Sequence, residues 1–191
     1  MSFCIIVARY NENIEWTKEF PHVIIYNKGM QLNDDDGYNE ILLNNVGREG
    51  HTYYKYICDN YDNLPDYNVF LQGNPFDHSP NIISNLHHHI RHGFNLGFAF
   101  LSEHVYCSSL DRECMLNWQC KNIHQNWKHV FGVNCDNQEC IFGAGAQFIV
   151  SKKRILQNTK EFYKNILQML EYTIDPTEGH DIERFHKYIF Q

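Results

Sequence analysis

Three polar segments of the sequence contain residue types suited to binding a charged ligand. They are residues 9–12 (Arg-Tyr-Asn-Glu), residues 27–29 (Asn-Lys-Gly) and residues 72–78 (Gln-Gly-Asn-Pro-Phe-Asp-His). An arginine and a few backbone N–H groups are enough to hold a diphosphate. All three segments are also rich in turn-forming residues, so each is expected to form a loop.

Each polar segment follows an apolar run that predicts a buried strand. The runs are residues 3–8, 22–26 and 67–71. Continuous β-branched apolar runs are typical of strands that are buried on both faces, as in parallel sheets. Ligands of open parallel sheets bind beyond the carboxyl ends of the strands. The shared position of the three segments therefore favours one common ligand site.

Helical patterns separate these strands and complete the fold prediction. Helices are expected over residues 13–20, 51–61, 81–92, 151–172 and 181–189, with a further strand over residues 146–150. Residues 93–140 show no clean period and are expected to form an irregular lobe. The sequence thus predicts one α/β domain over residues 1–191, with a mainly parallel sheet flanked by helices.

Five sequence blocks occur in the order found in a known group of enzymes. They are IIVARYNENIEW (5–16), NNVGREGHTYYKYI (44–57), YNVFLQGNP (67–75), GAGAQFIVSKKRI (143–155) and HDIERFHKYIF (180–190). The first two blocks resemble the first strand and the Asn-x-Gly block of nucleotide-sugar glycosyltransferases with the GT-A fold. Over most of its length, the chain is similar to a domain-of-unknown-function family of fungal and viral proteins with the same blocks.

The resemblance implies a compact GT-A-like (Rossmann-like) domain that moves a sugar from a nucleotide sugar to a glycan acceptor. It implies that the donor is bound by residues of the matching blocks: Arg9, Tyr10, Asn11, Glu12, Gly47, Arg48, Gln72, Asn74 and His180. An inverting sugar transfer needs a carboxylate that deprotonates the acceptor hydroxyl, and Glu183 or Asp181 is expected to serve as this base. Arg48 and Glu49 could instead form a structural ion pair.

The metal-binding pair of the GT-A enzymes is altered in this sequence. Where those enzymes have an Asp-x-Asp pair after a strand, this chain has Gln72 and Asn74, and amides are poor ligands for Mn²⁺ or Mg²⁺. Asp77 and His78 lie just beyond and could bind the metal instead. Metal-independent action through Arg9 or Arg48 and a non-catalytic glycan- or nucleotide-binding module are the alternatives.

Other polar clusters have ordinary interpretations that compete with function. Residues 34–36 (three Asp) favour a solvated loop. Residues 87–92 hold four His, including a pair at positions i and i+4, which leaves a metal-dependent hydrolase as a further alternative. The seven cysteines contain no CxxC pair and favour buried small side chains over a zinc site. Residues 143–146 favour close packing of a strand over a phosphate loop.

Composition limits the class of protein further. The net charge is −7 and no block of basic residues occurs, which argues against nucleic acid as a partner. No run of 18 apolar residues is present, so no membrane span is expected. An odd number of cysteines and the lack of a signal-peptide pattern favour a reducing compartment, hence the cytoplasm, or the host cytoplasm for a viral protein.

Overall fold

A six-stranded sheet forms the centre of the computed structural model, which describes residues 1–191. Its strand order is β3-β2-β1-β4-β8-β5, and β6 and β7 form a separate two-stranded sheet. In chain order, β1 to β8 are Phe3–Arg9, Val23–Asn27, Glu40–Leu42, Tyr67–Gln72, Phe98–Phe100, Val105–Ser109, Glu139–Gly143 and Phe148–Ser151.

The first four strands are parallel, and β1 lies between β2 and β4. Its register joins Ala8 to Tyr26 on one side and to Gln72 on the other. The chain therefore moves outward from β1 to β2 and β3, and then returns to the opposite side of β1 to form β4. A reversal of this kind opens a crevice at the carboxyl ends of the two strands. Strand β8 is antiparallel to both of its neighbours.

Seven helices cover the sheet and the lobe. In chain order, α1 to α7 are Arg48–Asn60, Ile82–His92, Leu110–Leu116, Ile123–Phe131, Lys152–Ile155, Lys160–Leu170 and Thr177–Ile189. The predicted α/β class, with a mainly parallel sheet flanked by helices, is confirmed. The structure forms a single domain.

Two predicted helices differ from those observed. The segment predicted as a helix over residues 13–20 forms only a 3₁₀ turn, Glu15–Glu19, in which Trp16 and Thr17 are buried. The helix predicted over residues 151–172 is broken into α5 and α6. The break arises because Thr159 accepts a hydrogen bond from the N–H of Phe162 and so starts a new helix.

Apolar side chains from both faces of the sheet form two cores. Side chains of β1 alternate between the two cores: Cys4 and Ile6 point to the larger core, whereas Ile5 and Val7 point to the smaller one. The larger core is covered mainly by α1, α6 and α7, and the smaller core by α2 and the Trp16 turn. Burial on both faces explains why the sequence of β1 is a continuous apolar run.

The region predicted to be irregular is largely ordered. It contains β5, the β6–β7 ribbon, α3, a 3₁₀ turn at Trp118–Cys120, and α4. The chain leaves the large sheet after β5 and re-enters it at β8, and these two points are neighbours: the N–H of Leu101 donates to the carbonyl of Gln147 at 2.8 Å. Its helices were missed because they are short and partly polar, and because their apolar residues pack on α7, which is distant in sequence.

The seven cysteines are all free, and five of them are buried. Cys120 and Cys140 lie in the larger core. The expectation that most of the thiols act as small buried side chains is therefore confirmed. None of the helices has the length and apolar character that a membrane-spanning helix requires.

Candidate functional site

A cleft of about 610 Å³ lies over the carboxyl ends of β1 and β4, where the sheet topology reverses. Its walls come from four places: the ends of the two strands, the end of β2, the start of α1 and the loop before α7. The lining residues are Ala8, Arg9, Tyr10, Glu12, Lys28, Asn45, Arg48, Glu49, Gln72, Asn74, Asp77 and Ile174. Seven of the eleven donor-binding and metal-binding residues predicted from the sequence therefore share one cleft.

The loop after β1 is held by its own charged residues. Arg9 donates from Nε to the carbonyl of Glu12 at 3.0 Å, and from Nη1 to Asn27 Oδ1 at 2.8 Å and to the carbonyl of Met30 at 2.9 Å. Glu12 Oε2 accepts the N–H groups of Tyr10 and Asn11 at 2.6 and 3.2 Å. Arg9 thus joins the ends of β1 and β2.

Asn11 lies outside the cleft lining and connects the same two loops. Its Oδ1 accepts the N–H of Met30 at 2.9 Å. The two backbones approach so closely that a Cβ at Gly29 would lie 1.3 Å from the carbonyl oxygen of Tyr10. Only glycine fits there, and the close contact fixes the position of the Arg9 loop.

The start of α1 has a rare backbone conformation. Both Gly47 (φ +63°) and Arg48 (φ +48°) are left-handed, which is uncommon for an arginine. Their N–H groups donate to the carbonyls of Thr173 and Ile174 at 2.8 and 3.2 Å. A Cβ at Gly47 would lie 2.5 Å from the carbonyl oxygen of Leu170. Gly47 therefore packs against the end of α6, on the side of the turn away from the cleft, and does not line the cleft.

Lys28 braces the same turn from the side of β2. Its ammonium donates to the carbonyl of Val46 at 2.5 Å and also to the carbonyl of Arg48. Burial lowers the pKa of Lys28 to about 8, because the charged form loses solvation. Lys28 was not among the residues predicted to bind a ligand, although the polar segment that contains it was.

The guanidinium of Arg48 is surrounded by polar side chains. Its Nε lies 3.6 Å from Glu49 Oε2, which confirms the ion pair considered from the sequence. Its Nη1 lies 3.4 Å from Asp175 Oδ1 and 3.3 Å from His180 Nε2. Glu49 and then Asp175 raise the pKa of Arg48, so this side chain is positively charged at every physiological pH.

His180 lies behind Arg48 and outside the cleft lining. Its Nε2 also lies 2.8 Å from the side-chain nitrogen of Gln119. Burial and the neighbouring Arg48 lower the pKa of His180, so the neutral ring accepts hydrogen bonds at Nε2. His180 therefore connects the lobe to the start of α1 through Gln119 and Arg48.

The residues after β4 line the opposite side of the cleft. Asn74 donates from Nδ2 to Asp77 Oδ2 at 3.2 Å. His78 is not with them: its ring packs on Gly145, where a Cβ would lie 2.4 Å from His78 Cδ2. No three His, Cys, Asp or Glu side chains converge on one point anywhere in the structure. The end of β4 thus presents two amides, Gln72 and Asn74, and the carboxylate of Asp77 to the cleft, and amides are poor ligands for Mn²⁺ or Mg²⁺.

Glu183, one of the two predicted bases, lies close to the cleft. Its Oε1 accepts the N–H groups of Gly145 and Ala146 at 2.8 and 3.1 Å. A Cβ at Gly145 would lie 3.2 Å from Oε1 of Gln72, a cleft residue, so Glu183 and Gln72 flank the same short turn. The Glu183 side chain is 16% exposed, and burial followed by repulsion from Glu49 raises its pKa to about 7.

Asp181, the other predicted base, lies in the interior. Its side chain is fully buried, and Oδ2 accepts a hydrogen bond from Asn126 at 2.7 Å. Oδ1 has no partner, and burial raises the pKa of Asp181 to about 6. In this position Asp181 contacts α4 and cannot reach a ligand in the cleft.

Three further candidate segments from the sequence do not line the cleft. Residues 34–36 form an exposed 3₁₀ turn, as expected for a solvated loop. The histidines of residues 87–92 lie along α2, on the other side of the sheet from α1. The N–H groups at residues 145 and 146 are used by Glu183, so this turn does not offer them to a phosphate.

Comparison with models of protein families matches residues 5–191 to a family described as a protein of unknown function, DUF3431. The chain belongs to this family. The expected membership in a domain-of-unknown-function family is thereby confirmed. No curated protein and no solved structure matches the chain.

Some residues of the cleft were not predicted from the sequence. Lys28, Asn45 and Ile174 line it without having been predicted, and Glu49 was considered only as an ion-pair partner. A signal for Lys28 was present, since it lies in the polar segment that follows a predicted buried strand. Ile174 carried no such signal, because it comes from the loop before α7.

Proposed function

We propose that this member of the DUF3431 family is a glycosyltransferase that moves a sugar from a nucleotide sugar to a glycan acceptor. The observation that carries the proposal is the position of the cleft: it lies at the reversal of a parallel sheet, with Arg48 on its wall and Glu183 beside it. Crevices of this kind are where open α/β sheets bind nucleotides. The blocks that resemble GT-A enzymes supply residues to this cleft.

The proposed reaction is a displacement at the anomeric carbon of the donor sugar. The acceptor hydroxyl oxygen forms the new bond to this carbon, and the bond from the carbon to the diphosphate oxygen breaks. The electron pair of the broken bond stays on the diphosphate, and the proton of the acceptor hydroxyl moves to the carboxylate of Glu183. A base with a pKa of about 7 is well matched to this task at neutral pH.

The leaving diphosphate gains negative charge as its bond to the sugar breaks. Positively charged side chains that are already fixed in place stabilise such a charge without rearrangement. Arg48 is fixed by its contacts with Glu49, Asp175 and His180. Because Gln72 and Asn74 stand where the GT-A enzymes have two metal-binding carboxylates, we assign the stabilisation of the leaving group to cationic side chains.

The proposal extends to the setting in which the protein works. Seven free thiols suit a reducing compartment, so we place the activity in the cytoplasm, or in the host cytoplasm for a viral member. The acceptor is proposed to approach from the side of the lobe, since Gln119 of the lobe contacts His180, which lies directly behind Arg48.

The first test is binding of sugar nucleotides. A panel of UDP-, GDP- and other nucleotide sugars is screened by thermal shift, with and without Mn²⁺. A donor present at a hundred times its Kd should stabilise the fold by about 2.7 kcal/mol, which raises Tm by a few degrees. Absence of a shift with every donor would contradict the proposal.

The second test separates a transferase from a binding module. Release of nucleotide diphosphate is measured for the wild type, for Glu183→Gln, and for Asp181→Asn as the matched control on the same helix. Loss of the base should slow turnover by about 10²- to 10⁴-fold in Glu183→Gln. Donor binding without turnover by the wild type would favour the non-catalytic module instead.

A further inference from the structure

Arg9 and Lys28 are two cations in the cleft that have no carboxylate partner. Arg9 contacts two carbonyl oxygens and the amide oxygen of Asn27, and Lys28 contacts two carbonyl oxygens. No Asp or Glu oxygen lies within 4.0 Å of either side-chain charge. The other cation of the cleft, Arg48, differs because it is paired with Glu49 and Asp175.

The backbones of these two residues are neighbours at the ends of β1 and β2. Arg9 pairs with Asn27 in the register of β1 and β2, and Lys28 is the next residue. The N–H of Lys28 also donates to the carbonyl of Arg9 at 2.8 Å. Both side chains line the cleft, so two uncompensated positive charges face it from the side of β2.

Both side chains keep hydrogen-bond donors for a ligand. An arginine has five N–H donors and a lysine has three. The contacts of Arg9 use its Nε and both hydrogens of Nη1, which leaves the two of Nη2. The contacts of Lys28 use two of its three hydrogens. Three charged N–H donors are therefore uncommitted.

The negative charges of the cleft lie on the opposite side or are compensated. The Glu12 carboxylate accepts two N–H groups and packs against Gly73, at the end of β4. Asp77 also follows β4, and Glu49 is paired with Arg48. Positive charge in the cleft thus lies beside β2 and negative charge lies beside β4. An anionic group of a ligand therefore fits beside β2, and hydroxyl groups fit beside β4.

We infer that Arg9 and Lys28 form a diphosphate-binding subsite that works without a metal ion. This inference rests on the proposed function for the identity of the whole ligand, but the subsite itself requires only a diphosphate. Lys28 has a double role there. It braces the turn that positions Arg48 and donates its remaining N–H to the diphosphate.

Inorganic pyrophosphate is the probe for the subsite, with binding measured by isothermal titration calorimetry at pH 8. Lys28→Met should weaken pyrophosphate binding at least about tenfold, because one charged hydrogen bond is lost. Lys28→Arg should stay within about threefold of the wild type. Lys153→Met, which removes an exposed lysine far from the cleft, is the control for net charge. Unchanged affinity in a folded Lys28→Met would overturn the subsite, as would failure of the wild type to bind.

A second readout does not depend on the stability of Lys28→Met. Burial holds the pKa of Lys28 at about 8, and a bound diphosphate should raise it, so binding at pH 8 should take up about half a proton at this residue, in addition to any proton that pyrophosphate itself exchanges. Lys28→Arg should lack this uptake, since arginine does not titrate there. The titratable groups of α1 near Lys28 are Glu49 and His51, and burial lowers the pKa of His51 to about 4, far from pH 8. Equal uptake by both proteins would overturn the assignment.

The test distinguishes failure of the subsite from failure of the proposed enzyme. Pyrophosphate binding that depends on Lys28, in a protein that transfers no sugar, would keep the subsite and contradict the transferase. Full sugar transfer by Lys28→Met would keep the transferase and overturn the subsite.

Discussion

Nη1 of Arg48 lies 3.3 Å from Nε2 of His180, so the first turn of α1 and the first turns of α7 meet at the wall of the cleft. The same ring nitrogen is also in contact with Gln119 of the lobe. A neutral imidazole is needed there, because a protonated ring would repel the guanidinium. The lowered pKa of His180 agrees with this requirement.

The strained backbone of Arg48 can be separated from the function of its side chain. Arg48→Gly removes the left-handed strain, whereas Arg48→Ala keeps it, so the glycine variant should be more stable by about 1 kcal/mol. Both variants should lose donor affinity to the same extent, since both lack the guanidinium. Urea unfolding and donor titration measure the two effects. Equal stability of the variants would show that the turn stores no strain.

The rate of sugar transfer should follow the ionisation of Glu183. A general base acts only when it is deprotonated, so kcat/KM should rise with pH through about 7 and then level off. Glu183→Gln should show a low rate without this rise, and Asp181→Asn should keep it. Initial rates from pH 5.5 to 8.5 provide the check. A rise that persists in Glu183→Gln would assign the base to another residue.

Stability should depend on pH through the same carboxyl group. The folded-state pKa of Glu183 is about 7 and its ordinary value is 4.5, so the native state holds the proton more tightly. Its contribution to stability is then fully present below about pH 4.5 and lost as the pH rises through 7. Glu183→Gln cannot lose a proton. It should gain roughly 1–3 kcal/mol relative to the wild type between pH 4.5 and pH 8.

Urea midpoints at several pH values test this stability prediction. A difference between the two proteins that stays constant with pH would contradict the raised pKa. If Glu183→Gln gained stability and lost turnover, the native carboxylate would lower the free energy of unfolding in exchange for activity, as is common at functional sites.

The contact between the loops after β1 and β2 should not tolerate a methyl group. Gly29→Ala places a Cβ 1.3 Å from the carbonyl oxygen of Tyr10, so the backbone must move, at a cost of about 3 kcal/mol or more. Gly37→Ala is the control for an added methyl group without a clash: its φ of +72° is left-handed, unlike that of Gly29, but no atom lies within 4 Å of the added Cβ. That variant should lose only about 1 kcal/mol. Similar losses in both would show that the loop contact is soft.

The part of the fold that the sequence predicts best is also the part that forms the cleft. Strands β1, β2 and β4 are buried on both faces, and their apolar runs are therefore continuous. The rule for parallel sheets then locates the ligand edge without any knowledge of the helices. The short strands β3 and β5 were missed because only three residues of each are paired.

The choice between Asp181 and Glu183 could not be made from the sequence. Side chains two positions apart on an α-helix point in directions that differ by about 200°, so one of the two carboxylates faces the cleft only if the other faces away. Which one does so depends on the packing of α7 against α4 and against the turn at Gly145. Lys28 poses a similar problem, because its direction is fixed by carbonyl groups from the start of α1.

The hydrogen bond between the N–H of Leu101 and the carbonyl of Gln147 joins the two ends of the lobe, where the chain leaves and re-enters the large sheet. A segment whose two ends meet in this way can be exchanged for another of different length without disturbing the strands that it leaves and re-enters. Relatives could keep the cleft unchanged and carry different lobes, and under the proposed function they would then act on different acceptors. Such exchange would have to respect α7, because Trp127 of the lobe packs on Phe185 with ring centroids 5.3 Å apart.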